Sequence, residues 1–368
     1  MKKTICILYG GKSGEHEVSC QSAASISRHI SKDKYHLLYI GIQKNGTWHV
    51  QPPLVYSTHP ARGEMLEIID NPEPINLIPG EGFSFKNKPL HIDFILPILH
   101  GTYGEDGTLQ GMLDLFSIPY AGAGTCASAV CMDKTLAKRI FRDAGIPVVD
   151  FLEIRKAEYQ QNPGTIQSSV ESSFSYPCFI KPIRAGSSVG VSKATDRESL
   201  HAGLQLAFSY DSRVLVEKAI NAREIECAVI GNDNPVVFTP GEVIPKHEFY
   251  SYDAKYLDPD GASLCIPADL SPEVADTVKK MASDAYKAAT VAGFSRVDLF
   301  LDKHTGEVFL NEINTIPGFT HISMFPRMCE AGGLEYSKLI DAVIEFGMEH
   351  YRQEHENISY SLDANTGS

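Results

Sequence analysis

Near the C-terminus, two apolar runs, Arg296–Phe300 and Phe309–Gly318, flank the turn His304-Thr305-Gly306, and that pattern commits the stretch to a β-hairpin. Asp298 lies in the first run, and Glu312 and Asn314 occupy alternate positions of the second. Glu312 and Asn314 therefore project from one face of their strand. A register that pairs the two runs puts Asp298 on that same face. Three oxygen-bearing side chains together, with no His or Cys among them, suit a hard cation such as Mg²⁺ or Mn²⁺. An ion held by so few carboxylates completes its shell with nucleotide phosphates. The competing reading is the solvated polar face of an edge hairpin. Against it, carboxylates crowded on one face repel unless a cation sits between them, and a Pro-Gly pair follows at once.

At 368 residues the chain is long for one domain and favours two or three. Hydrophobic residues make up 43% and charged residues 21%, an ordinary balance for a soluble globular protein. A net charge of −13 argues against nucleic acid and anionic membrane as main partners. A nucleotide would then be held by local Lys, Arg, backbone N–H and metal. The apolar run Ile5–Tyr9 after Met1-Lys2-Lys3 is too short for a signal-peptide core, and no run approaches the roughly 18 apolar residues of a spanning helix. The eight cysteines form no CxxC pair, and Cys6, Cys178 and Cys227 sit among apolar neighbours, which reads as reduced core thiols. A cytoplasmic protein is expected.

Strand, loop, helix and strand over Thr4–Tyr9, Gly10–Glu15, Glu17–Ile30 and Tyr35–Ile42 imply a parallel sheet. A buried strand over His91–His100 and a short helix over Leu109–Phe116 follow. Asp133 caps a helix that runs to Ala144 and stops at Gly145 and Pro147. Strands are expected over Tyr176–Lys181, Val189–Ser192 and Arg213–Glu217, with a helix over Arg197–Phe208. Strands and hairpins dominate from Glu224 to Val243. A loop-rich stretch, Pro245–Pro267, precedes a long helix over Pro272–Ala292, and the last helix spans Tyr336–Glu349.

Three loops carry chemistry. Gly10-Gly11-Lys12-Ser13 fails as a P-loop, because Cys6 stands where that motif needs Gly. It remains a strand-to-helix loop suited to an anion or small ligand. Glu15 there either favours the helix dipole or anchors a substrate ammonium. The segment Lys181–Gly190 links two β-runs, and Gly186 and Gly190 let backbone N–H groups approach a ligand. Ser187 and Ser188 add hydroxyls, and such a loop can close over a triphosphate. The turn chemistry of an ordinary hairpin is the alternative. His100 opens a Gly-rich loop at the carboxyl end of a buried strand, where α/β sheets bind ligands. It can donate to an oxyanion, or it can be structural. Lys134, Glu217, Glu224 and Lys255, each taken alone, are unremarkable.

Six stretches in chain order, GGKSGEHEVS, HGTYGEDGTLQGML, MDK, KPIRAGSSVGV, YDAKY and RVDLFLD…NEINTIPGFT, resemble the ATP-grasp fold, and more narrowly the D-alanine–D-alanine ligases of bacterial cell-wall synthesis. The resemblance runs from residue 4 to about 345. It implies a three-domain fold, α/β and α+β, with an N-terminal parallel-sheet domain over 1–130. A central subdomain over 131–222, a C-terminal subdomain over 223–350 and a polar tail over 351–368 would complete it. ATP would lie between the central and C-terminal parts, with Mg²⁺ or Mn²⁺, two ions being the family expectation. By position, the resemblance implies that Lys134, Lys181, Ser188 and Lys255 meet ATP phosphate. Glu217, Lys218 and Glu224 would line the adenine and ribose, with Asn311 beside the metal ligands Asp298, Glu312 and Asn314. Glu15 would take the first D-alanine's ammonium, beside Val18 and Ser19, supported by Ser187 and Tyr256. Arg296, the Gly318 backbone, Ser323 and Met324 fall on the second-substrate and oxyanion site, and His100 falls near the first substrate's carboxylate. Ala185 and Ala219 depart from residues some members carry, a Glu and a Trp.

The implied reaction moves the γ-phosphate of ATP onto a carboxylate, and an amine then attacks the acyl phosphate. A homodimer is the family expectation, with D-alanine and ATP as the small-molecule partners and no nucleic acid or membrane. The rivals are a D-alanine–D-lactate ligase and another ATP-grasp kinase or carboxylase. Tyr256 resembles the peptide-forming members, and no carrier or biotin acceptor segment is visible.

Overall fold

The computed structural model describes residues 2–51, 53–60, 63–73, 75–78, 80–245 and 262–355. The expected loop Tyr250–Tyr256, with Lys255 and Tyr256, lies outside the described residues, as do 356–368.

The first sheet forms around Lys3–Gly10, whose residues Ile5 to Tyr9 are wholly buried. A run apolar on both faces is what a central parallel strand requires. Tyr35–Ile42 pairs parallel on one side, with Lys3 opposite Tyr35, and Phe94–Ile98 on the other, with Ile5 opposite Phe94. Trp48–Val50 adds an antiparallel edge. The strand expected over His91–His100 thus shortens to Phe94–Ile98, with His100 left in the loop beyond it. The helix His16–His29 packs Ala23, Ala24 and Ile26 against this sheet.

The second sheet is antiparallel, ordered Phe151–Arg155, Arg213–Lys218, Cys178–Pro182, Ser192–Ala194. Its core, with Ile154, Ile180, Val214 and Val216, is covered by Leu200 and Leu204 of the helix Arg197–Ala207. The strand expected over Val189–Ser192 begins only at Ser192. The chain is still turning before it, with Ser187 and Ser188 at φ 52° and 60°, a left-handed region L-residues seldom enter.

The third sheet is six-stranded, with Ala222–Ile230 and Phe294–Asp302 at its centre and Val308–Asn314 at one edge. The helix Pro272–Ala288 covers it through Val278, Ala282 and Ala285. This helix ends before the expected Ala292, where Thr290 and Gly293 take positive φ. Two helices, Thr125–Met132 and Lys134–Asp143, also pack into this core through Ala127, Cys131, Ala137 and Phe141. The last helix, Tyr336–His355, runs past the expected Glu349. It returns to the first sheet, burying Leu339, Ile340, Val343 and Ile344 in the core that holds Ile5, Ile7 and Phe94.

Candidate active site

The hairpin at the C-terminal sheet pairs Asp298 directly with Glu312 and Arg296 with Asn314. The register slips after Asp298, where Leu299 faces Leu310, so Asn311 is the extra residue of a β-bulge. The bulge leaves Glu312 and Asn314 on the face that carries Asp298. On the other side, Glu226 of Ala222–Ile230 also pairs with Asp298. One row thus runs Glu226, Asp298, Glu312 across three strands.

Arg296 supplies the countercharge. Its Nε and Nη2 donate to Asp298 Oδ1 and Oδ2, both at 2.7 Å, and its Nε lies 3.1 Å from Glu226 Oε2. Asn314 Nδ2 donates to Asp298 Oδ2 at 2.9 Å. Burial works against the guanidinium's charge, but Asp298 and Glu226 outweigh it and hold its pKa well above the usual value. Among the described residues, no cluster of three or more His, Cys, Asp and Glu forms a ready cage. The donor set still fits a hard cation: two carboxylates and an amide oxygen, all oxygen, leaving positions for phosphate.

A second group lies on the lysine side. The helix Lys134–Asp143 is capped by Asp133, which accepts from Leu136 N at 3.0 Å. Its first residue, Lys134, lies 3.4 Å from Glu312 Oε2 and donates to the Ala185 carbonyl at 2.9 Å. Lys138, one turn on, is buried against Glu217 Oε1 at 2.6 Å, and Lys181 donates to Glu217 Oε2 at 2.6 Å. Burial alone would push the Glu217 carboxyl up, but Lys138 and Lys181 hold it down to about 2. Lys181 is likewise raised by Glu217, Glu312 and Glu224 against its burial. Glu224 pairs with Phe300 on the central strands, and Lys218 ends the strand Arg213–Lys218, exposed.

The first loop reaches the same place. Ser187 Oγ donates to Glu15 Oε1 across a sequence separation of 172 residues. A Cβ on Gly101 or Gly186 would lie 2.4 or 2.9 Å from Glu15 Oε2, so both must stay bare for this carboxylate to sit between them. Val18, three residues on, is half-buried. Ser19 is wholly buried, accepting from Gly10 N at 2.8 Å and donating to the Ile98 carbonyl.

His100 is also committed to the protein. Its Nδ1 lies 2.8 Å from the Ile316 carbonyl and its Nε2 lies 3.1 Å from Ser22 Oγ. Burial depresses its pKa, with Arg296 acting the same way and Glu15 opposing. The ring is therefore neutral, and its carbonyl partner assigns the proton to Nδ1. Glu105 accepts from Gly101 N at 2.7 Å and Ile316 N at 2.9 Å. Burial and the nearby Glu15 push the Glu105 carboxyl up to about 8, against the pull of those two N–H donors. Because Glu15 and Arg296 both act on His100 and Glu105, the loops and the hairpin form one electrostatic site. Gly318 is half-buried, and Ser323 caps the helix Met324–Ala331, its Oγ 3.2 Å from Thr320 N. Met324 is buried behind it.

Four participants, Lys138, Glu226, Glu105 and Ser22, escaped sequence reasoning. Lys138 stands four residues after Lys134 on one helix face, and Glu226 two after Glu224 on one strand face, so periodicity could have flagged both. Nothing local marks Glu105 or Ser22.

Family models for the D-ala D-ala ligase N-terminus and C-terminus match residues 4–123 and 140–345. A D-alanine--D-alanine ligase of Caldicellulosiruptor bescii is 45% identical, covering 98% of this chain and 99% of its own length. One from Clostridium novyi is 46% identical, covering 95% and 99%. Among solved structures, the D-alanine-D-alanine ligase from Coxiella burnetii aligns with a TM-score of 0.81 at 34% identity, covering 96% of each chain. The VanG D-Ala:D-Ser ligase from Enterococcus faecalis aligns with a TM-score of 0.81 at 34% identity, covering 94% and 100%.

Proposed function

The chain belongs to the D-alanine–D-alanine ligase family, of ATP-grasp fold, and from that membership we propose that it joins two D-alanine molecules at the expense of ATP for peptidoglycan precursor synthesis. The observation that carries this reading is the meeting of Glu15 and Ser187 beside His100 and Arg296. In this reading Glu15 is the ammonium anchor, the Ser187 loop the phosphate loop and Arg296 the oxyanion donor.

Glu15 holds the ammonium of the first D-alanine, oriented by Ser187 and, from outside the described residues, Tyr256. Lys134, Lys181, Ser188 and Lys255 take the triphosphate, and Glu217, Lys218 and Glu224 line the nucleoside. Lys138 keeps Glu217 ionised, so that its oxygens stay acceptors. Asp298, Glu312 and Asn314, with Asn311 on the bulge, would hold two ions, Mg²⁺ or Mn²⁺. Bound there, the ions offset charge on the transferring phosphoryl group.

The first carboxylate attacks the γ-phosphorus, ADP leaves, and an acyl phosphate forms. The second D-alanine, seated against Ser323 and Met324, attacks as free amine. Arg296 and the Gly318 N–H stabilise the tetrahedral oxyanion, and phosphate departs as the peptide forms. Ser19, whose hydroxyl is committed to Gly10 and Ile98, stands with Val18 on the first D-alanine's side and supports Glu15 by holding its helix to the sheet. The likeness to a D-Ala:D-Ser ligase makes the second substrate worth testing directly. Phosphate release and mass-identified product from ATP with D-alanine, L-alanine, D-serine and D-lactate side by side test the reading. D-alanyl-D-alanine as the main product is expected, and a depsipeptide or a phosphorylated acceptor overturns it. We further infer a cytoplasmic homodimer. No helix among the described residues is long and apolar enough to cross a membrane.

A further inference from the structure

The segment Thr315–His321 carries Gly318, and while Tyr336 and Ser323 bond its far end at Phe319 and Thr320, four side chains that bond its backbone come from the N-terminal part of the chain. Ile316 N donates to Glu105 Oε1 at 2.9 Å, and the Ile316 carbonyl accepts from His100 at 2.8 Å. Phe319 N donates to Ser22 Oγ at 3.3 Å, and His321 N donates to Ser25 Oγ at 3.1 Å. Ser22 and Ser25 stand three residues apart on one face of the helix His16–His29. The polar accounting closes: Ser22 accepts from Phe319 N and donates its single proton to His100 Nε2, whose ring then donates from Nδ1. Gly318 is thus bracketed, with the peptide groups before and after it held by side chains more than 200 positions away.

We propose that Ser22, acting with His100 and Glu105, is a positioning residue for amine attack, fixing the Gly318 N–H on the developing oxyanion. The inference rests on the reading of Gly318 given above. Left without Ser22 and Glu105, the segment keeps its sequence and its covalent attachment to the strand Val308–Asn314. It loses the bonds that set the direction of its peptide planes, and an oxyanion donor works only when it is aimed in advance. Phosphoryl transfer to the first D-alanine draws chiefly on the lysines and the metal ligands, and of the clamp only His100, which every variant below retains, falls near that substrate's carboxylate. The two half-reactions should therefore respond differently.

The experiment uses the full chain with Mg²⁺ and ATP, comparing wild type with Ser22→Ala, Ser22→Thr and Glu105→Gln. Hydroxylamine trapping reads acyl-phosphate formation, dipeptide yield reads the second step, and hydrogen exchange at the Ile316 and Phe319 amides reads the clamp without substrate. Ser22→Ala should lower dipeptide formation about tenfold, the scale of one neutral hydrogen bond. It should leave hydroxamate within about threefold and speed Phe319 exchange about tenfold, while Ser22→Thr restores all three. Should Ser22→Ala fail to fold, Glu105→Gln, which presents an N–H where two donors need acceptors, must give the same split with faster Ile316 exchange. Equal losses in both half-reactions, or unchanged amide exchange, overturn the proposal. Wild type that makes neither hydroxamate nor dipeptide overturns the functional reading instead, and the exchange measurement still decides the clamp.

Discussion

Arg296 links the hairpin's charges. Two of its nitrogens fork onto Asp298 and one also meets Glu226, so its plane is set before substrate arrives. Lysine, a point charge, cannot reproduce that fork. Arg296→Lys is expected to lower kcat by about 10²–10³, the usual loss of one oxyanion donor, with a melting temperature near wild type. Steady-state turnover beside thermal melts checks it, and near-normal kcat would leave Arg296 a structural partner of the acids. Lys138 is the second telling residue. It is buried against Glu217, which it shares with Lys181. Lys138→Met leaves Glu217 with Lys181 as its one cation, so the loss should be that of one charged hydrogen bond, about 1.5–3 kcal/mol, below the cost of a buried charge left wholly unpaired. Urea unfolding should register that loss, and a change below about 1 kcal/mol would mean the pair is worth little.

At the scale of elements, Arg213 on the strand Arg213–Lys218 ties two others to the strand that bears it. It donates to Glu153 Oε1 on Phe151–Arg155 at 2.8 Å and to Asp133, the cap of the Lys134 helix. Lys134 is therefore aimed by a strand it does not belong to. The hydrogen bond from Arg213, against the cost of burial, holds the Glu153 carboxyl down to about 2, below its ordinary 4.5. A carboxyl depressed on folding stabilises above its unfolded pKa and loses that contribution as pH falls through the folded value. Wild type should thus lose stability between pH 4.5 and 2, partly through Glu153. Glu153→Gln should be less stable at pH 7 by about 2–3 kcal/mol and show a flatter acid decline. Thermal melts across that window decide it, and parallel pH curves for the two proteins would remove Glu153 as the cause.

For the whole molecule, the C-terminal helix completes the N-terminal core. Ile340 and Val343 of Tyr336–His355 are wholly buried with Ile5, Ile7 and Phe94 of the first sheet. Ile340→Ala should cost about 2–5 kcal/mol, as an aliphatic truncation in a close-packed interior does. The loss should appear as faster amide exchange in Lys3–Gly10, more than 300 positions away in the chain. Unaltered exchange in that strand would show that the first sheet stands without the helix.

Local rules carried much of the fold and part of the site. Period-two alternation sufficed to put Glu312 and Asn314 on one face, because strand side chains alternate whatever lies around them, while Asp298 joins them only through the observed register, which pairs it with Glu312. The Asp133 cap, the parallel strands of the first sheet and the Gly-rich loops were legible for the same reason: each depends on a few neighbouring residues. Their roles with ATP and D-alanine came from resemblance to a family rather than from that physics. Packing alone decided the rest. The helices over 125–143 lie in the C-terminal core, the last helix returns to the first sheet, and Ser22, His100 and Glu105 close on a loop over 200 residues away. An isolated serine or glutamate carries no mark of such a partner. The partner exists only once the sheets are stacked and a buried amide must find an acceptor.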